Sequence, residues 1–336
     1  MNKTSIFLKT CFLAVAMCAA AVAANAQQFV IERGTEFLSF ATLNAAVGAL
    51  QDGDKIYIPP GLHGGTSGEI IFDVPNITII GAGYANSVNA SQFGRPVYFN
   101  ADGITVTGIA FVPTGVLVCL TLGSISNLTM TRCLFIADVS MTSSSIQNSI
   151  FISECEFRGR LGGSSNNLDN ATISKSILGT LNVRTSIIEN CLFLTYPEYN
   201  LIASYSDFNN NIFIMASGQS GVSNITNATF NNNLFVRGTP TFSANSDVTF
   251  NASNITDAVY EDTFNDPDAG DYSLKAGSAG IGAGNDGTDI GLFGTAVPFK
   301  KSKLPAIPHF SLRSIAPETD ETGNLRVKII VEAQER

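Results

Sequence analysis

Residues 208–213 read Phe-Asn-Asn-Asn-Ile-Phe, and residues 230–235 read Phe-Asn-Asn-Asn-Leu-Phe. The phrase runs from an apolar residue through two polar ones to a small or amide residue, then any residue, then a large apolar anchor. Looser copies are Met130-Thr-Arg-Cys-Leu-Phe135, Ile152-Ser-Glu-Cys-Glu-Phe157, Ile173-Ser-Lys-Ser-Ile-Leu178 and Ile188-Glu-Asn-Cys-Leu-Phe193. Weaker relatives end at Tyr84, Phe111 and Ile255. From 111 to 255 is 144 residues over seven intervals, a period of about 21. That period excludes the longer helical repeats. Leucine-rich repeats share it but need leucine at several fixed sites, which are missing here.

Within the repeat, apolar residues alternate, as in Val116, Val118, Leu120 and Leu122, which is the period of a strand and not of a helix. Short strands that recur every 21 or so residues bury their apolar side by stacking turn on turn, at about 4.8 Å per turn. Like side chains then pile up in columns. Phe and Leu form the core column. Two residues earlier, Cys133, Cys155, Ser176, Cys191, Asn211, Asn233 and Ser253 form a corner column, where an amide can bond to its neighbours above and below. The residue before that column is often Gly or Asn (Gly81, Gly108, Asn190, Asn210, Asn232), the types that tolerate positive φ.

Both flanks fit such a coil. Residues 40–50 predict an amphipathic helix with Leu43, Ala46, Val47 and Leu50 on one face. Gly53-Asp-Lys-Ile-Tyr-Ile-Pro-Pro-Gly61 follows, and Asp271 to Gly294 reads as a closing segment. On these ends and the repeat, roughly residues 28 to 295 resemble the right-handed parallel β-helix superfamily, the pectate-lyase-like fold. The resemblance implies an all-β solenoid with an N-terminal capping helix. That fold hosts lyases, hydrolases, esterases and non-catalytic surface proteins, so it does not set the activity. The expected organisation is a signal peptide at 1–26, the β-helix at 27–295, a linker at 296–309 and a strand pair at 310–336. The last part rests on alternation in 310–315 and 325–332 around a turn at Thr322-Gly-Asn.

Lys3, Lys9, an apolar run from Cys11 to Ala24 and the small-x-small site Ala24-Asn25-Ala26 predict export to the periplasm, the cell surface or the medium. A lipoprotein signal on Cys18 is disfavoured by the bulk of Met17, and an uncleaved anchor helix is the other alternative. No later run is long enough to span a membrane, so no integral membrane protein is expected after cleavage. Cleavage leaves 17 basic and 28 acidic residues, a net charge of −11. Such a surface repels nucleic acid and anionic membranes.

Only 14% of the 336 residues are charged, and there are two histidines and no tryptophan. The inventory for catalysis is thin. His63 reads as a turn residue where the first coil begins. Glu154 and Glu156 share a strand face and read as solvated surface. Lys175, Arg158, Arg160 and Arg184 come from nearby coils and are the candidates for a lyase, which needs a cationic base and a cation to neutralise a uronate. Tyr196, Glu198 and Tyr199, with Tyr205 beyond, are the candidates for stacking on a sugar. The acids at 262, 266, 268, 271, 286 and 289 read as a solvated loop, with a structural Ca²⁺ as the alternative. No cofactor or other metal is expected. Cys119, Cys133, Cys155 and Cys191 read as buried thiols, with a disulfide as the alternative.

Three functions are compatible with this inventory. The first is a non-catalytic exported protein that presents a rigid face to a polysaccharide or cell-surface glycan. The second is a polysaccharide lyase or other carbohydrate-active enzyme acting on acidic polysaccharide. The third is an envelope component that assembles through its C-terminal strand pair.

Overall fold

In a computed structural model the chain forms an all-β parallel solenoid. The structure describes residues 28–304, apart from 65–67, 85–88, 143–146, 164–167, 195–200, 216–223 and 243–245, together with strand residues 309–319 and 325–332. The leader at 1–26 and the trio Tyr196, Glu198 and Tyr199 lie outside the described residues. Among the described residues, no helix is long and apolar enough to cross a membrane.

One sheet gives the coil its repeat. From Lys55–Tyr57 through Thr105–Thr107 and Thr129–Thr131 to Thr249–Phe250, each strand pairs in parallel with the strand one turn later. Every middle residue faces inward: Ile79, Val106, Met130, Ile152, Ile173, Ile188, Phe208 and Phe230 are fully buried. The residues on either side face outward, many of them threonine, serine or asparagine.

The anchor column stacks as the repeat requires. Phe93, Phe111, Phe135, Phe157, Leu178, Phe193, Phe213 and Phe235 pair in register. Ring centroids lie 4.6 Å apart for Phe111–Phe135 and Phe135–Phe157, and 4.4 Å apart for Phe193–Phe213. Two expected anchors are displaced. Tyr84 leaves the coil, and Phe93 takes its rung, because the chain makes an excursion after Gly81. Ile255 faces Leu234, not Phe235, because five steps separate it from Phe250 where four separate Leu234 from Phe230, an insertion of one residue. His63 pairs with Phe93 and so begins the column. Its ring meets Phe29 edge-on at 4.8 Å, and its Nε2 lies 2.7 Å from the Pro59 carbonyl oxygen.

The corner after this sheet is left-handed in turn after turn. Gly108, Arg132, Glu154, Lys175, Asn190, Asn210 and Asn232 all have φ between 44° and 69°. Gly108 is the rung that needs glycine most, since a Cβ there would lie 2.8 Å from the Gly81 carbonyl oxygen. The next column is buried and links the turns. Asn211 Oδ1 accepts from the Cys191 amide, and Asn233 Oδ1 accepts from the Asn211 amide and side chain. Asn254, not Ser253, continues this ladder, by the same one-residue insertion. Where the column holds Cys133, Cys155 and Cys191, each thiol donates to the carbonyl two residues back.

A hairpin of Phe29–Arg33 and Glu36–Phe40 closes the N-terminal end, antiparallel to Lys55–Tyr57. The expected helix is shorter than its pattern, Leu43–Gly48, with Thr42 capping Ala45 N–H and with Leu43 and Ala46 buried. Asp54, 1% exposed, is held by Arg33 at 2.7 Å.

Beyond the last turn the chain doubles back as a strap. Phe264, Ile290, Leu292 and Phe299 bury the outward column of Ile177, Leu192, Ile212 and Leu234. The strap's polar contacts fall on the left-handed corner in reverse order. Asn232 Nδ2 donates to Ala283 O, Asn210 Nδ2 to Asn285 Oδ1, Lys175 Nζ to Val297 O, and Arg132 Nη1 to Leu304 O. The stretch read as a linker is thus packed on the coil as far as Leu304. The C-terminal strands, His309–Thr319 and Leu325–Glu332, pair antiparallel.

Candidate functional site

A dense group of ionisable side chains lies where the strap ends. The repeat places Arg132 and Glu154 on successive rungs of the left-handed corner, so their side chains leave the coil side by side. Arg132 Nε lies 3.1 Å from Glu154 Oε2, and Nη2 lies 3.2 Å from Oε1. Both residues are buried, 7% and 8% exposed. The Lys300 amide donates to Glu154 Oε2 at 3.3 Å.

Two residues on, Glu156 stands between Leu134 and Ile177 in the outward column. Lys303 Nζ meets its Oε2 at 3.0 Å and Arg158 Nε meets its Oε1 at 2.9 Å. The Lys303 ammonium also sits 5.2 Å from the Tyr84 ring centroid. The Tyr84 hydroxyl is buried without a hydrogen-bond partner among the described residues. Burial, and then the charge of Glu156, push its phenol far above the usual range. Glu154 and Glu156 are therefore not solvated surface. The strap covers both, and buried carboxylates persist only when paired and hydrogen-bonded.

Burial works to raise the Glu156 carboxyl, yet Lys303 and Arg158 hold it below the ordinary carboxylate range. A depressed carboxyl contributes stability above its unfolded-state pKa of about 4 and loses it as pH falls through the lower folded value. Acidification from pH 5 to pH 2 is therefore expected to loosen the strap. Lys303→Met should flatten that acid limb in urea-unfolding midpoints measured against pH.

The four lyase candidates do not share one pocket of partners. Lys175 donates to the Val297 carbonyl, Arg158 is held by Glu156, and Arg184 pairs with Asp169 at 2.5 Å. Arg160 gives its backbone N–H to Asp138 Oδ1. Each belongs to a different local contact, on the corner, beside the outward column or at the far end of the strand Ile177–Arg184. The acidic loop residues serve local turns: Asp266 accepts from the Ala269 amide, Asp286 from the Thr288 amide, and Asp289 from the Gly282 amide. Asp271 is lowered to about 2, first by its bond to Lys301 and then by Ser273. Among the described residues, no group of three or more His, Cys, Asp or Glu is arranged to hold a metal ion.

Cys119, Cys133, Cys155 and Cys191 are free and fully buried. Burial pushes the Cys119 and Cys191 thiols up to about 12 and Cys155 well above its usual value. Native protein is expected to leave all four unmodified by iodoacetamide at pH 8, and unfolded protein to label them, as peptide mass spectrometry will read.

The buried Arg132–Glu154 pair escapes a reading that treats each residue by itself. Its signal lies in the repeat: Arg132, Glu154 and Lys175 occupy equivalent corner positions in successive turns, with charges that alternate in sign. The chain matches no protein-family profile and no curated protein.

Proposed function

We propose that this is an exported, non-catalytic β-helix protein that presents a rigid face to glycans at the cell surface or beyond. One observation carries the reading. The carboxylates best suited to acid–base work, Glu154 and Glu156, are neutralised by Arg132, Arg158 and Lys303 and lie under the chain's own strap. A general acid or base must reach the proton it moves, and these two are engaged in holding the C-terminal segment. Ladders such as Asn211–Asn233–Asn254 tie successive turns together, which stiffens the coil.

The test is a glycan array probed with the purified full chain, run beside an assay for unsaturated uronate products by near-ultraviolet absorbance. Retention on a glycan without product is the expected result. Product formed from an acidic polysaccharide, and lost in Arg158→Ala or Lys175→Ala, would establish the lyase instead.

A further inference from the structure

The outward face of the first sheet carries a column that the coil does not need for its own folding. Thr78, Thr105, Thr129, Phe151, Thr172 and Ile187 stand in register on six successive strands. Phe151 is 42% exposed and Ile187 45% exposed, and the threonines are half-buried. A large aromatic ring open to water in the middle of a strand face adds nothing to the core, which Ile152 fills from the opposite side. Threonine hydroxyls repeat above and below the ring at the strand spacing of about 4.8 Å.

We propose that this column is a binding site for an uncharged, extended polysaccharide, with Phe151 as the stacking platform and the flanking threonines bonding the sugar hydroxyls. The inference rests on the glycan-presenting function proposed above and names the site and ligand class. Aromatic rings beside a few convergent polar groups suit ligands that have apolar faces and polar rims. Regular spacing along a straight column suits a polymer that repeats. Charge selects against acidic chains. No ionisable residue interrupts the column from Thr78 to Ile187, Lys55 stands on the rung before it and Asp207 on the rung after it, and the whole chain carries a net charge of −9. A uronate polymer would meet repulsion, since the cation next to the column, Lys55 on the rung before Thr78, is already paired with Glu32 at 2.7 Å.

The experiment is affinity electrophoresis of the full chain in native gels containing hydroxyethyl cellulose, arabinoxylan or polygalacturonate. Wild type is compared with Phe151→Ala and Phe151→Tyr, with sedimentation velocity on the same samples. The expected result is retardation by a neutral polymer, at least tenfold weaker in Phe151→Ala and kept in Phe151→Tyr, with unchanged circular-dichroism melts. Retardation by a neutral polymer that Phe151→Ala leaves intact would overturn the site and leave the glycan reading standing. Retardation by polygalacturonate alone would overturn the ligand class. A dimer that Phe151→Ala converts to monomer would assign the column to a second copy of the chain and overturn the proposal. Failure of every polymer here and of every glycan on the array would remove the parent reading as well.

Discussion

Phe213→Ala is expected to lower stability by about 3–5 kcal/mol, among the largest effects of any single substitution in this chain. Phe213 is fully buried, with Phe193 stacked at 4.4 Å on one side and Phe235 at 4.8 Å on the other. It also meets Phe208 and Phe230 at tilted angles across the coil. The void left by alanine cannot close by settling. The distance between turns is fixed by the backbone ladders, so neighbours above and below cannot approach. Phe213→Leu keeps most of the volume and should lose well under half as much. Urea unfolding followed by far-ultraviolet circular dichroism reads both. Equal and small losses in the two variants would mean that the column is not a packed stack.

Arg132→Ala should cost a similar amount, about 3–5 kcal/mol, for an electrostatic reason. Among the described residues it leaves the buried Glu154 carboxylate with only the Lys300 amide as partner, and it removes the bond to the Leu304 carbonyl that ends the strap. The revealing comparison is Arg132→Asn combined with Glu154→Asn. Asparagine already occupies the same left-handed position as Asn190, Asn210 and Asn232, and it tolerates that conformation well. The double variant extends an existing column and is expected to recover most of the loss. If the double variant is as unstable as Arg132→Ala, the pair is not the cause.

Much of the fold could be read from the chain because a solenoid repeats its physics every turn. Phe111 to Phe235 and Cys133 to Asn233 lie where their spacing puts them, since one in-register pairing forces the next. The reading slipped at Tyr84 and Ile255, where the chain adds an excursion or a single residue and the period alone cannot tell which residue keeps the rung. It missed the second left-handed corner, where Asn76, Asn127, Ser149, Asn170, Thr185, Tyr205, Asn227 and Asp247 all have positive φ, because Ser, Thr and Tyr there do not advertise that geometry. The N-terminal hairpin and the strap were also hidden. Neither segment repeats, and the strap's partners lie far along the chain, as between Glu154 and Lys300. The burial of Glu154 and Glu156 follows from a strap that reaches them from Lys300 and Lys303, across a span of sequence that no local pattern signals.

The in-register stack itself is tested most directly by distances along one outward column. Spin labels at positions 78 and 172 span four inter-strand steps, and labels at 78 and 229 span seven. Pulsed dipolar spectroscopy should return backbone separations near 19 Å and 34 Å, increasing by about 4.8 Å per turn. Separations that fail to grow in proportion to turn number would contradict the solenoid and everything derived from it.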